Sequence, residues 1–182
     1  MRVGLGRPAV IVPHCQRIST CCASGGLAAG IRVAILSAMR LILVGLDGSP
    51  RAEGVLDTAI DLARRTGRKL VVFRSFGLPP EMPAAVWKLD EGSLMDNLRD
   101  HAQAYLNECL KRVPKEVPAE SRVEVGTPWQ AVCGAAKALD ADLIVVGSHG
   151  YGTVDRLLGT TAAKIVNHAE CSVLVVRPSK PS

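Results

Sequence analysis

"LILVGLDGSPRAEGVLDTAIDLARRTGRKLVVFRSF" spans residues 41–76, and its reading decides the fold. "LILVGL" (41–46) is a continuous apolar run, the pattern of a strand covered on both faces. Val55, Leu56, Ala59, Ile60, Leu62 and Ala63 then recur at helical spacing. Ser49 and Pro50 are expected to start that helix as N-cap and first-turn proline, and Gly67 to stop it. "LVVFRSF" (70–76) is a second buried strand. Two apolar strands joined by a helix-length crossover describe a parallel βαβ unit.

The same alternation continues along the chain. The Pro-rich "GLPPEMPAAVWKLDEG" (77–92) reads as a loop. A helix is expected over about 93–113, with Leu94, Leu98, Ala102, Tyr105, Leu106, Cys109 and Leu110 on one face. "RVEV" (122–125) is a short third strand, and Gly126, Thr127 and Pro128 turn into a helix carrying Ala131, Val132, Ala135, Ala136 and Leu139. "DLIVVGS" (142–148), "TAAKIVNHA" (161–169) and "SVLVVRP" (172–178) complete a strand, a helix and a fifth strand. The whole predicts a doubly wound α/β domain with a parallel sheet covered by helices on both faces.

In such a sheet the ligand lies beyond the carboxyl ends of the strands, where the winding reverses. Two segments fall there: Asp47 after the first strand, and "GSHGYGTVDRLLGTT" (147–161) after the fourth. Gly147, Gly150, Gly152 and Gly159 let backbone approach an anion, and Ser148, Thr160 and Thr161 supply hydroxyl donors ahead of a helix start. That combination suits a phosphate chain. Neither GxxxxGK[ST] nor a GxGxxG after the first strand is present, so a bound nucleotide would use another geometry.

Composition narrows the function further. The 182 residues fit one domain, and 48% apolar with 21% charged residues is an ordinary globular balance. The net charge of +5 is unevenly placed: residues 1–38 hold Arg2, Arg7, Arg17 and Arg32 and no acid. Four of the 22 Lys and Arg residues therefore lie in this leader, leaving 18 against 17 Asp and Glu in the body. A body this close to neutral, with no basic stripe, argues against nucleic-acid binding. The leader's longest apolar run is broken by Arg32, which argues against a membrane span.

Residues 1–38 show no sustained periodicity and are expected to be a disordered extension ahead of a domain at 39–182; translation starting at Met39 is the other reading. Cys15, Cys21 and Cys22, with His14, fit no zinc spacing, and Cys109, Cys133 and Cys171 are read as buried apolar residues in a reducing cytoplasm. His168 is expected to cap carbonyls at a helix end. No nucleophile-and-base arrangement stands out.

"ILVGLDGSPRAEGVLDTAIDLA", "VGTPWQAV", "ADLIVVGSHG" and "HAECSVLVVRP" resemble the successive blocks of the universal stress protein family, over residues 40–178. The resemblance implies a five-stranded parallel sheet in the order 3-2-1-4-5, a Rossmann-like fold of the adenine nucleotide alpha hydrolase type. It also implies a cytoplasmic stress-response module, in which some members bind ATP through Gly-x2-Gly-x9-Gly-[Ser/Thr]. Matched by position, Leu46 and Asp47 would meet the adenine and ribose, with Ser75 at the adenine and Gly126 beside the ribose. Gly147, Ser148, His149 and Gly150 would wrap the ribose and first phosphates, and Gly159, Thr160 and Thr161 the distal ones, with Mg2+ carried on the nucleotide. Only eight residues, 151–158, separate Gly150 from Gly159 where the family pattern has nine. A slow ATPase and a nucleotide-free interaction protein are the alternatives to a binding module. The resemblance further implies a homodimer, and the apolar edge strand 172–178 is where it would form, because an open edge must be covered.

Overall fold

The computed structural model describes residues 10–12, 40–77, 91–148 and 159–177. Strand β1 is Val10–Val12, followed by β2 (Leu41–Gly45), α1 (Ala52–Thr66), β3 (Lys69–Phe76) and α2 (Glu91–Lys111). Then come β4 (Ala119–Val125), α3 (Pro128–Ala138), β5 (Leu143–Gly147), α4 (Thr160–His168) and β6 (Ser172–Val176).

The sheet runs β1-β6-β5-β2-β3-β4. Its five body strands are parallel in the 3-2-1-4-5 order, with the first body strand, β2, at the centre. Register follows from burial: Ile42, Leu43 and Val44 are fully buried, as are Leu70, Val71, Val72 and Phe73 beside them. Alternate residues feed two cores. Ile42, Val44, Leu70, Val72, Val145 and Leu174 pack under α1 and α2 with Leu56, Ala59 and Leu106. Leu43, Val71, Phe73, Ile144, Val146 and Val173 pack under α3 and α4 with Ala135, Ala162 and Ile165. Aliphatic side chains do nearly all of this, because aromatics make up only 3% of the chain.

Helix ends differ from expectation in one instructive place. Ser49 and Pro50 sit in the turn before α1; the N-cap is Arg51, and the Ala52 N–H donates to the Ser49 carbonyl at 2.9 Å. Ser49 is held otherwise, its own N–H donating to Asp47 Oδ1 at 2.9 Å. Gly67 ends the helix as expected, in a left-handed conformation at φ 65°, with its N–H donating to the Ala63 carbonyl. The third body strand is longer than "RVEV", since residues 119–121 also pair with β3. Residues 78–90, expected as a loop, lie outside the described residues.

A sixth strand is the principal departure. Val10–Val12 pairs antiparallel with β6, so three residues of the leader belong to the sheet and the edge expected to be open is covered. Periodicity cannot reveal a three-residue strand, which is why the leader reads as featureless. At the amino end of the sheet, Asp142 Oδ2 accepts the Leu41 N–H at 3.0 Å and also the Arg40 N–H, tying the entry of β2 to that of β5.

Candidate functional site

The carboxyl ends of β2, β3 and β5 open on a cavity of about 350 Å3, within the usual range for small-molecule sites. Its apolar wall is Val55, Phe73, Val132, Val146 and Ile165, contributed from both cores. Its polar wall is Asp47, Ser49, Arg51, Arg74, Ser75, Ser148, Thr160 and Thr161. The strand order creates this space. From β2 the chain winds one way to β3 and returns on the other side to β5, so the loops at the two ends part.

Three helices begin at this cavity. Ala52 of α1, Pro128 of α3 and Thr160 of α4 all line it, and at none of the three N-caps (Arg51, Thr127, Gly159) does a side chain cap the helix. The dipoles of these helices, and the free N–H groups of a first turn, favour negative charge at this spot. The α4 end is the best shaped for it. Gly159 N–H donates to the Ser148 carbonyl at 2.7 Å, which folds the end of β5 back onto the helix start. Thr160 and Thr161 stay exposed beside the buried Ser148.

Gly147 is a close-approach position, where an added Cβ would stand 3.3 Å from Val55 Cγ2. Asp47 is the only carboxylate of the described wall. Its Oδ1 accepts the Ser49 N–H at 2.9 Å, and a carboxylate keeps further acceptor capacity on its second oxygen. Arg74 lies with its guanidinium 4.6 Å from the centre of the Tyr105 ring and tight against Gly48.

Of the positions expected to bind, Leu46, Asp47, Ser75, Gly147, Ser148, Gly159, Thr160 and Thr161 all line this one cavity. Gly126 stands apart from its described wall: at φ 144° it turns the chain out of β4, its N–H donating to the Phe76 carbonyl at 2.8 Å. His149 and Gly150, with Gly152, lie outside the described residues. Sequence reasoning missed Arg51 and Arg74, which bring two cations to the wall. Arg51 could have been suspected from its place at a helix start; Arg74 carries no signal, because it stands inside a run that reads as a buried strand. His168 stands in the last turn of α4, as expected of a residue near a helix end. Its ring lies 4.8 Å from that of Trp129, joining α4 to α3, and Lys164 approaches the same indole at 5.8 Å. Among the described residues, no group of three His, Cys, Asp or Glu side chains could hold a metal ion, and no helix is long and apolar enough to cross a membrane.

Comparison with known proteins agrees with this geometry. Residues 39–177 match the universal stress protein family. The chain is 32% identical over 137 residues to the universal stress protein A homolog 1 of Coxiella burnetii, covering 74% of this chain and 94% of that one. It is 30% identical over 148 residues to a universal stress protein of Synechocystis, covering 75% and 96%. Among solved structures, it superposes on universal stress protein UspA from Lactobacillus plantarum with a TM-score of 0.66 at 27% identity, covering 76% of this chain and 98% of that one. A universal stress protein solved in complex with cAMP is similar with a TM-score of 0.58 at 29% identity, covering 79% and 100%. This chain belongs to the universal stress protein family.

Proposed function

We propose that the chain is an adenine nucleotide-binding module of the cytoplasmic stress response, and that ATP is its ligand. The observation that carries this reading is the meeting of three helix starts without side-chain caps, two arginines and the Thr160–Thr161 hydroxyls on one cavity whose remaining wall is apolar. The apolar side suits a purine base, with the second Asp47 oxygen as acceptor for an amino or ribose hydroxyl hydrogen. The α4 start suits phosphates, with backbone N–H groups as donors. The donor set fits Mg2+ only as a passenger: the Ser148, Thr160 and Thr161 hydroxyls and the Asp47 carboxylate would supplement an ion that arrives held by phosphate oxygens. That a similar protein was solved in complex with cAMP supports a nucleotide as the class of ligand and makes the cyclic nucleotide the competing one.

Thr160→Asp tests the reading. A carboxylate in the first turn favours the α4 dipole, so the fold should be unharmed, while it repels any phosphate seated there. Calorimetry should detect ATP with the unaltered chain and lose at least 10-fold in affinity with the variant, at an unchanged or higher melting temperature. Absence of ATP binding up to about 1 mM overturns the proposal; cAMP binding in the same assay would reassign the ligand.

A further inference from the structure

Two thiols outside the described cavity wall are brought together by the fold. Cys133 lies on α3, and Cys171 in the turn between α4 and β6. Both are free and half-buried, and both pack against the core under α3 and α4. Cys109 belongs to the other core, on the opposite face of the sheet. An ion pair records how the two segments meet. Lys137, one turn beyond Cys133 on the same face of α3, reaches Glu170, the neighbour of Cys171, with Nζ 2.5 Å from Oε1. That pair is exposed and contributes little energy, but it sets the Cys133 side of α3 against the turn that carries Cys171.

Their surroundings distinguish the two sulfurs. Burial raises both thiols above their ordinary range, and Cys171 goes further, to about 11, with Cys133 and then Asp142 adding to it. Two thiols that feel each other's charge in this way share one poorly solvated space. Cys133 is the one that ionises first, and a thiolate is the form that attacks an oxidant. Cys171 stays protonated beside it, able to react only with a sulfur already activated.

We propose that Cys133 and Cys171 are a site of reversible oxidation, at which a peroxide converts the two thiols into a disulfide tying α3 to the start of β6. The Cys133 thiolate attacks the peroxide, the O–O bond breaks, and a sulfenic acid and one water result. Cys171 Sγ then attacks that sulfur, its proton leaving with the hydroxyl as a second water. The two thiols thus give up two electrons, which reduce one hydrogen peroxide to two waters. In a reducing compartment such a bond is transient and is reopened by thiol exchange. While it lasts it closes residues 134–170 into a loop that holds β5 and the α4 start with Thr160 and Thr161. Val132, beside Cys133, stands in the cavity wall, so oxidation braces the elements around the cavity whatever it binds.

Peroxide treatment of the folded full chain at mildly alkaline pH, followed by alkylation, digestion and mass spectrometry, tests it. The peptides carrying Cys133 and Cys171 should be found joined. The melting temperature should rise by several degrees over the reduced chain, because the bond restricts the unfolded state, and dithiothreitol should return it. Each variant is compared with its own reduced form, so a loss of stability from the substitution itself does not enter. Cys133→Ser and Cys171→Ser should each abolish both the link and the rise, while Cys109→Ser should keep both. The proposal is overturned if the two thiols oxidise separately to sulfinic acids, or if either pairs instead with another cysteine of the chain or of a second molecule. It is overturned equally if the link forms as readily in the urea-unfolded chain, since the fold would then not be what joins them.

Discussion

Gly48 shows how closely the cavity rim is fitted. At φ 77° it holds a conformation that costs other residues about 1–2 kcal/mol, and an added Cβ would come within 2.8 Å of both terminal nitrogens of Arg74. The two effects can be separated. Gly48→Ala should lower stability by about 2 kcal/mol, and Arg74→Ala in the same chain should relieve the contact while leaving the backbone cost of about 1 kcal/mol. Denaturant unfolding of the two single variants and the double variant checks this. Full additivity would mean that the Arg74 guanidinium does not rest on Gly48. The pairing also bears on the ligand, since Arg74 is held by Gly48 on one side and the Tyr105 ring on the other and so enters the cavity wall already oriented.

Helix α1 connects the central strand to β3, and its two ends follow different rules. Its carboxyl end is purely conformational: Gly67 adopts φ 65° and an added Cβ would meet nothing within 4 Å. Gly67→Ala should therefore cost about 1 kcal/mol, and Gly67→Asn less, because asparagine tolerates the left-handed region. Thermal melting of both variants measures the difference, and equal losses would show that the left-handed turn is not what matters. The amino end serves the site instead, which is why Ser49 turns to the Asp47 carboxylate and leaves Arg51 at the helix start. Gly67 could be read from sequence because local backbone chemistry decides it. The start could not, because a serine before a helix looks the same whether it caps the helix or shapes a loop. The same contrast runs through the sheet: continuous apolar runs announced β2, β3, β5 and β6, while residues 119–121, partly exposed and charged, were recognisable only once β3 stood beside them. In the cavity, positions set by glycine and hydroxyl spacing were legible, and Arg74 was not, because its orientation depends on α2.

Across the whole molecule, pH reports on burial. Cys109, Cys133 and Cys171 are free thiols, and burial pushes all three above their ordinary range, Cys171 to about 11, with Cys133 nearby adding to the effect. Unfolded, the Cys171 thiol ionises near 9.0; folded, it stays protonated to about 11. Its contribution to stability is thus complete below pH 9 and lost as pH rises through 11. Denaturant unfolding at pH 8, 9.5 and 11 should show that decline, and Cys171→Ala should flatten part of it; an identical decline in the variant would place the titration elsewhere.

The clasp between Asp142 and the start of β2 joins groups 101 residues apart in the chain. During synthesis β2, β3 and β4 emerge in succession, so one side of the central strand can be paired early. Its other side must wait for β5, about 5–20 s later at ordinary elongation rates of about 5–20 residues per second. The cavity straddles that seam and needs Thr160 and Ile165 from beyond it. A nascent chain therefore spends seconds as half a sheet, with β2 bare along one edge, and its ligand can assist folding only once Ile165 has left the ribosome.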